Sequence, residues 1–386
     1  MPVRRRTYGG GFLGVGLLLV ILLCGWGVRG RFLPPTHQRY HITLPERMVA
    51  LAISPQGDLL ATGGVSGAIY LWSTATGAPQ RVLHGHTARI NALAFRPDSQ
   101  HLLSVANDQT LRRWEVDTGK PVTPPDPHLL TMEAFRHTHR WVEAFQSVAW
   151  SEDGAWIAAG SNSGRAFLLD ATSGTVVALV QDGVVEHRID FGDILVHHRQ
   201  QRLVTATIGR VDRPERITLW EIPSGTLIGT HPDPSITADV YGVRDHGRVQ
   251  FTADGRHLRY VSKDLQAYAT WQTRDGTGPT HPTQIDLHQE PAAFTTPSEA
   301  VSYAVRVDGR AIATGGGVHW SDAPLYGKRI DGRILVWHIG QPTPIYQLYG
   351  HGASTVRMVA FTPDGTALAS IGDDQTLRLW DVPPPP

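Results

Sequence analysis

A chain of 386 residues is too long for one ordinary core and suits two or three small domains or one large repeat architecture. The formal net charge is zero, but residues 1–33 hold five arginines and no acid, which leaves thirty basic against thirty-five acidic groups in the rest. A mildly acidic body argues against non-specific nucleic-acid binding, which needs a basic surface, so no nucleic acid is expected as a partner. Cys24 is the single cysteine, and it rules out an intramolecular disulfide and a thiolate metal site.

The chain opens on a basic start, an apolar run and a basic exit. Tyr8 to Val28 is 21 uncharged residues, about the length that spans a bilayer core as a helix. Residues 1–33 are therefore expected to be one hydrophobic membrane segment, contacting the membrane through residues 8–28. The denser part, Phe12 to Leu23, also suits the apolar region of a cleaved signal peptide, and Cys24 has the placement of a lipoprotein cysteine with a bulky Leu23 before it. These alternatives stay open beside the retained anchor. Three arginines before the segment against two after it favour an inside N-terminus and an extracytoplasmic body, with secretion after signal cleavage as the alternative. A short linker at 34–38 contains Pro34-Pro35.

From there a pattern recurs seven times. An apolar strand leads into a tight turn: SPQG at 54–57, RPDS at 96–99, SEDG at 151–154, HRQQ at 198–201, TADG at 252–255, RVDG at 306–309 and TPDG at 362–365. Pro, Asp and Gly preset turn dihedrals, which is why they gather there. A strand of small residues follows, then a third strand usually ending in tryptophan, then a second turn often holding glycine. Successive first turns are 42, 55, 47, 54, 54 and 56 residues apart. Three short strands per unit with room for a fourth predict four-stranded antiparallel sheets that must stack, and stacking in a circle makes a propeller. The last unit has three strands, ends in four prolines at 383–386, and leaves an edge open. Residues 39–44, RYHITL, hold the position before the first unit that PQRVL (79–83) holds before the second. They are expected to supply the missing outer strand and close the ring.

HGH at 84–86, GHG at 350–352, NDQTLRRWEV at 107–116 and DDQTLRLWDV at 373–382 resemble the WD-repeat β-propeller family. The resemblance covers about 39–382, specific in two repeats and degenerate in five. It implies an all-β, seven-bladed propeller over 39–382. It also implies a structural hydrogen-bonded network inside the blade, carried by His86, Ser104, Asp108 and Trp114 in the second and by His351, Ser370, Asp374 and Trp380 in the seventh. Asp331 stands six before Trp337, with Thr314 as the hydroxyl partner and no histidine. In such blades the 2–3 loops and blade-to-blade connections lie on the top face. The long insertions fall there, at about 122–142, 209–216, 230–247, 273–298 and 317–330.

Insertions on one face mark a binding face. Trp320, Tyr326, Lys328 and Arg329 in one loop, and Phe135 and Trp141 in a stretch expected to form a short capping helix, are candidate partner contacts, since interface hot spots favour Trp, Tyr and Arg. Arg89, His187, Arg248 and Arg357 near the tops of inner strands form a basic set, with Arg89 and Arg357 the candidate contacts for an anionic partner. His197 and His198 read as a solvated bottom turn. No G-x-S-x-G, H-E-x-x-H, P-loop or calcium-loop pattern occurs, and no catalytic residue, cofactor or metal is assigned. The expectation is a membrane-tethered, non-enzymatic interaction scaffold binding protein partners on its top face. The competing reading is an exported propeller that binds a small ligand, or catalyses a reaction, at the channel mouth.

Overall fold

The structure, a computed structural model, describes residues 31–32, 37–122, 130–131, 144–181, 191–207, 216–232, 249–252, 255–261, 268–272, 300–316, 318–319, 329–330, 332–338 and 344–382. Among these there is no α-helix, and the regular structure is strand. No helix among the described residues is long and apolar enough to cross a membrane, and the expected membrane segment at 8–28 lies outside them.

The strands form antiparallel sheets in chain order. Sheet 1 is Met48–Ile53, Leu59–Gly64, Ile69–Ser73 and Pro79–Leu83. Sheet 2 is Ile90–Phe95, His101–Ala106, Thr110–Glu115 and Leu130–Thr131. Sheet 3 runs through Phe145–Trp150, Trp156–Ser161, Arg165–Asp170 and Val176–Gln181. Sheet 4 runs through Phe191–His197, Arg202–Thr207, Arg216–Glu221 and Thr226–Pro232. Three strands of sheet 5 are described, Val249–Phe251, His257–Val261 and Tyr268–Gln272. Sheet 6 has Ser302–Val305, Ala311–Gly315, Arg333–His338 and Pro344–Tyr349. Sheet 7 has Val356–Phe361, Ala367–Gly372 and Thr376–Asp381, and its outer strand is Gln38–Thr43 from the N-terminal side.

That last pairing meets the open edge expected from the sequence. His41 faces Arg378 and Thr43 faces Thr376, and the Leu44 amide donates to Gln375 O at 2.8 Å. Tyr40 reaches across to sheet 1, where its hydroxyl donates to Thr74 O at 2.9 Å, and burial pushes it up to about 12. Its ring lies over Gly77, where a β-carbon would approach it to 2.9 Å. The clasp thus ties the two chain ends together and also packs against the next sheet.

Two elements depart from the sequence reading. Arg31–Phe32, placed there at the end of the membrane segment, forms a two-residue strand parallel to Pro344–Tyr349 on the outer edge of sheet 6. Leu130–Thr131, within the stretch 128–141 expected to form the capping helix, is the outer strand of sheet 2, paired with Leu111 and Thr110. In both places a short extended segment pairs with a sheet edge that otherwise leaves backbone groups unbonded.

The last residue of each of the seven first turns has a positive φ: Gly57, Ser99, Gly154, Gln201, Gly255, Gly309 and Gly365. This left-handed position is costless for glycine and strained for other residues, which explains the recurrent final Gly. These turns also touch one another from sheet to sheet. Gln56 bonds Asp98 O and Arg96 bonds Gly154 O. The His198 and Arg199 amides donate to Glu152, and Arg259 bonds Val307 O. A β-carbon at Gly255 would strike His197, one at Gly365 would strike Arg306, and one at Gly57 would touch Pro363. The contacts run through every sheet and return to the first.

Apolar clusters fill the spaces between neighbours. Ile69, Leu71 and Leu83 of sheet 1 meet Ile90, Leu102 and Trp114 of sheet 2. Leu103 and Leu111 of sheet 2 meet Phe145 and Phe167 of sheet 3. Corresponding clusters join sheets 3 and 4, 4 and 5, 6 and 7, and 7 and 1. A single sheet this thin exposes two apolar faces, and sandwiching it between neighbours removes both from water.

Candidate functional site

In five of the sheets, among the described residues, a tryptophan donates to a hydroxyl on the neighbouring strand. Trp114 Nε1 donates to Ser104 Oγ at 2.8 Å and Trp380 Nε1 to Ser370 Oγ at 2.9 Å. Trp72 donates to Thr62 at 2.9 Å, Trp220 to Thr205 at 3.0 Å and Trp337 to Thr314 at 3.4 Å. The sequence reading missed the Thr62 and Thr205 bonds because it required a full motif. A signal was available: each hydroxyl residue stands two positions after the strand residue that faces the tryptophan (Leu60, Leu102, Leu203, Ile312, Leu368).

In sheets 2 and 7 the bond extends into a relay. His86 Nε2 lies 2.7 Å from Ser104 Oγ, and His86 Nδ1 lies 2.8 Å from Asp108 Oδ2. The matching distances for His351 are 2.8 Å to Ser370 and 2.9 Å to Asp374. With neutral imidazole the donors run one way, from Trp to Ser, Ser to His and His to the carboxylate, leaving each group satisfied. Burial lowers the His86 pKa against the opposing pull of Asp108. Burial would raise the Asp108 carboxyl, but bonds from His86, Thr110 and the Thr87 amide outweigh it and hold Asp108 well below the usual range. Asp374 is lowered in the same way by His351 and Thr376. Glycine before each histidine lets the tryptophan ring pass: a β-carbon at Gly85 would sit 2.9 Å from Trp114, and one at Gly350 would sit 2.5 Å from Trp380. His86, Ser104, His351 and Ser370 are buried, so these four hold the blade rather than face a substrate.

At the opposite end from the first turns, the inner strands carry a repeated bulge at Val49, Asn91, Gln146, Gly192 and Arg357. Bulges re-aim a side chain. Asn91 uses its position to bond both Asn107 and Phe145 O of the next sheet. Arg357 forms a two-pronged pair with Asp373, at 2.8 and 2.6 Å, and Arg47 also reaches Asp373, at 2.9 Å. Arg47 and Arg89 occupy equivalent positions in sheets 1 and 2: the carbonyl of each accepts from the 2–3 turn, from Val65 and Asn107 respectively. Burial, then the nearby charges of Arg357 and Arg47, lower the pKa of Arg89. Among the described residues, Arg89 Nε is buried without a hydrogen-bond partner.

Of the remaining sequence-derived candidates, Trp320, Tyr326, Lys328, Phe135 and Trp141, with His187, Arg248 and Asp331, lie outside the described residues. Arg329 lies in a two-residue strand, opposite His319. His197 corrects the reading of a solvated turn: it is 5% exposed, its ring packed edge-on against Phe251 at 5.4 Å and its Nδ1 3.2 Å from Glu152. No group of three His, Cys, Asp or Glu able to hold a metal occurs among the described residues.

A ring of small antiparallel sheets built on Trp–hydroxyl bonds defines a β-propeller. In agreement, the β-propeller domain of Cps50 (Swd1) from Myceliophteria thermophila aligns with a TM-score of 0.62, covering 89% of this chain and 100% of that one, at 15% identity. The family model for the WD domain, G-beta repeat, matches residues 40–73, 77–115, 134–170 and 342–381. The chain is 30% identical over 146 residues to Periodic tryptophan protein 2 of Arabidopsis thaliana, which is 38% of this chain and 15% of that protein. It is 24% identical over 336 residues to Apoptotic protease-activating factor 1 of Rattus norvegicus, 81% of this chain and 24% of that protein. The chain therefore spans less than a quarter of the length of either relative. The repeats and the relatives together support the WD-repeat β-propeller family for this chain.

Proposed function

We propose that the seven sheets close as one seven-bladed propeller and that the protein is a non-enzymatic interaction scaffold, tethered to a membrane by residues 8–28 with the propeller on the extracytoplasmic side. WD-repeat propellers typically act as scaffolds in protein interactions. The observation that carries the reading is where the chain spends its extra length. The hairpin of Val318–His319 with Arg329–Ile330 stands between the second and third strands of sheet 6, at the same end as Arg47, Arg89 and Arg357. The first turns at the other end are short and bonded to one another. A face with varied loops around a charged centre suits a protein partner.

The test is a crosslinking capture from native membranes, comparing the intact protein with one whose residues 318–329 are replaced by a Gly-Ser loop. A specific protein captured by the first and lost by the second supports the scaffold and its binding face. No specific protein with either shifts the reading to an exported propeller with a small ligand at the channel mouth. Whether the protein stays in the membrane fraction or is released after cleavage near Cys24 decides between tether and secretion.

A further inference from the structure

Sheet 6 takes its fifth strand from a fixed direction. Val305, Ile312, Trp337 and Pro344 form one row across that sheet, beside its first turn. Arg31 and Phe32 pair in parallel with Tyr346 and Gln347, so they run away from that row, as Pro344–Tyr349 does. The strand therefore enters the outer rim from the first-turn end, the end away from the arginines of the mouth. Three residue steps separate Val28, the last of the uncharged run, from Arg31. Fully extended they reach about 11 Å, and the headgroup layer outside a bilayer core is about 5–8 Å deep. With residues 8–28 in a bilayer, the rim of sheet 6 is held at the headgroups.

The surface at that end suits a lipid interface. Val307, at the tip of the first turn of sheet 6, is 58% exposed, the highest value for a large apolar side chain among the described residues. The same turn position holds Pro55, Pro97 and Pro363 in sheets 1, 2 and 7. Proline presets a turn, whereas a β-branched valine has no such local reason to be there. Around it, residues 252–260 and 306–310 hold four arginines, Arg256, Arg259, Arg306 and Arg310, against Asp254 and Asp308, a net of two positive charges. Arg259 bonds Val307 O and Arg306 pairs with Asp308, while Arg256 and Arg310 are exposed. Across the ring, the first turn of sheet 3 exposes the acids Glu152 and Asp153 instead. We infer that the ring rests on the bilayer by the first-turn end of sheets 5 and 6. Val307 lies in the headgroup layer, Arg256 and Arg310 face anionic lipid, and the mouth with its inserted loops points away. The contact depends on the tether of residues 8–28 proposed above.

The experiment reconstitutes the full chain in phosphatidylcholine vesicles with and without phosphatidylglycerol. On a Cys24→Ala background, one fluorescent label is placed at Val307→Cys, Thr172→Cys or Val65→Cys, and a lipid with a quencher on its headgroup reads proximity. Thr172 is exposed at the first-turn end of sheet 3, across the ring. Val65, 42% exposed, lies in the 2–3 turn of sheet 1 at the mouth end. A six-residue strand sets the two ends about 20 Å apart. The label at 307 is expected to be quenched, and more so with phosphatidylglycerol; the label at 172 is quenched less, and the label at 65 not at all. Arg256→Glu with Arg310→Glu is expected to abolish the gain from phosphatidylglycerol while the chain keeps a cooperative melt and still floats with the vesicles. Quenching at 65 equal to or above that at 307 would overturn the inference, as would a phosphatidylglycerol gain that is absent or that survives the double variant. Flotation of the unaltered chain tests the tether separately. A chain that floats without quenching at 307 keeps the tether and loses this contact, whereas a chain that does not float overturns both.

Discussion

Sheets 1 and 2 are adjacent and share a cluster of apolar residues, yet only sheet 2 has the histidine relay. Counting from equivalent backbone bonds, buried Leu44 stands in sheet 1 where His86 stands in sheet 2, and Ser66 stands where Asp108 does. Sheet 1 still has its Trp72–Thr62 bond and its full set of strands. The tryptophan–hydroxyl bond is thus the common fastening of a blade. The His–Asp extension ties the segment entering the inner strand to the 2–3 turn, and the fold does not require it in every sheet. Burial of apolar faces supplies the blade; the relay makes one arrangement of its corner much better than others.

The largest effect expected on this comparison is from removing a tryptophan that closes a relay. Trp114→Ala or Trp380→Ala should cost about 3–5 kcal/mol, because each ring is fully buried and its loss leaves a cavity and takes from the buried serine the donor it accepts from. Equilibrium denaturation checks it, with Trp72→Ala as the relay-free reference. Equal losses at Trp72 and Trp114 would show that the relay adds nothing. Next, Asp108→Asn should cost about 1.5–3 kcal/mol through its charged hydrogen bonds. Ser66→Ala at the equivalent turn of sheet 1 should change stability by less than about 0.5 kcal/mol.

The same carboxylates set a pH dependence. Asp108 and Asp374 titrate lower in the folded chain than in the unfolded one, so their contribution is present above the unfolded value, about 3.9, and is lost as pH falls toward their folded values. His86 is also lowered, so below its unfolded value of about 6.5 the unfolded chain binds the extra proton and stability falls again in the acid direction. The urea midpoint should therefore drop steadily from neutral pH to about pH 4, and His86→Gln should flatten the part nearer neutrality. A midpoint that rises on acidification in this window would break the assignment of a neutral buried His86.

Smaller still, Thr205→Ala should cost about 1 kcal/mol, the net worth of one neutral hydrogen bond, and it tests whether sheet 4 uses the common fastening. At the foot of the scale is the exposed pair of Arg39 with Asp381 on the clasp, whose groups are 39% and 47% exposed. Arg39→Ala should lower stability by less than about 1 kcal/mol, since solvent screens the charge and the clasp is held by its backbone ladder and by Tyr40.

Much of this was legible along the chain because it is local. A turn that needs a left-handed residue shows as the Gly of SPQG or TPDG, a strand shows as alternation, and the ten-residue step from Ser104 to Trp114 recurs from Ser370 to Trp380 because the turn between those strands has one length. The outer strand of the last sheet was legible too, since a three-stranded unit with an open edge calls for a partner. The Thr205–Trp220 bond was harder to see, because an inserted loop stretches the separation to 15 residues while the strand register stays the same; Thr314–Trp337, 23 residues apart, was legible because Asp331 keeps its six-residue step to Trp337. The sequence by itself determined the repeat, its turns and the residues of the two relays. Tertiary structure decided which charges pair: Arg47 and Arg89 stand one repeat apart at equivalent positions, but Arg47 and Arg357 meet on Asp373 from opposite ends of the chain. Only the circular packing of inner strands puts them at one mouth, and only the burial of its Nε there leaves Arg89 in want of an acceptor.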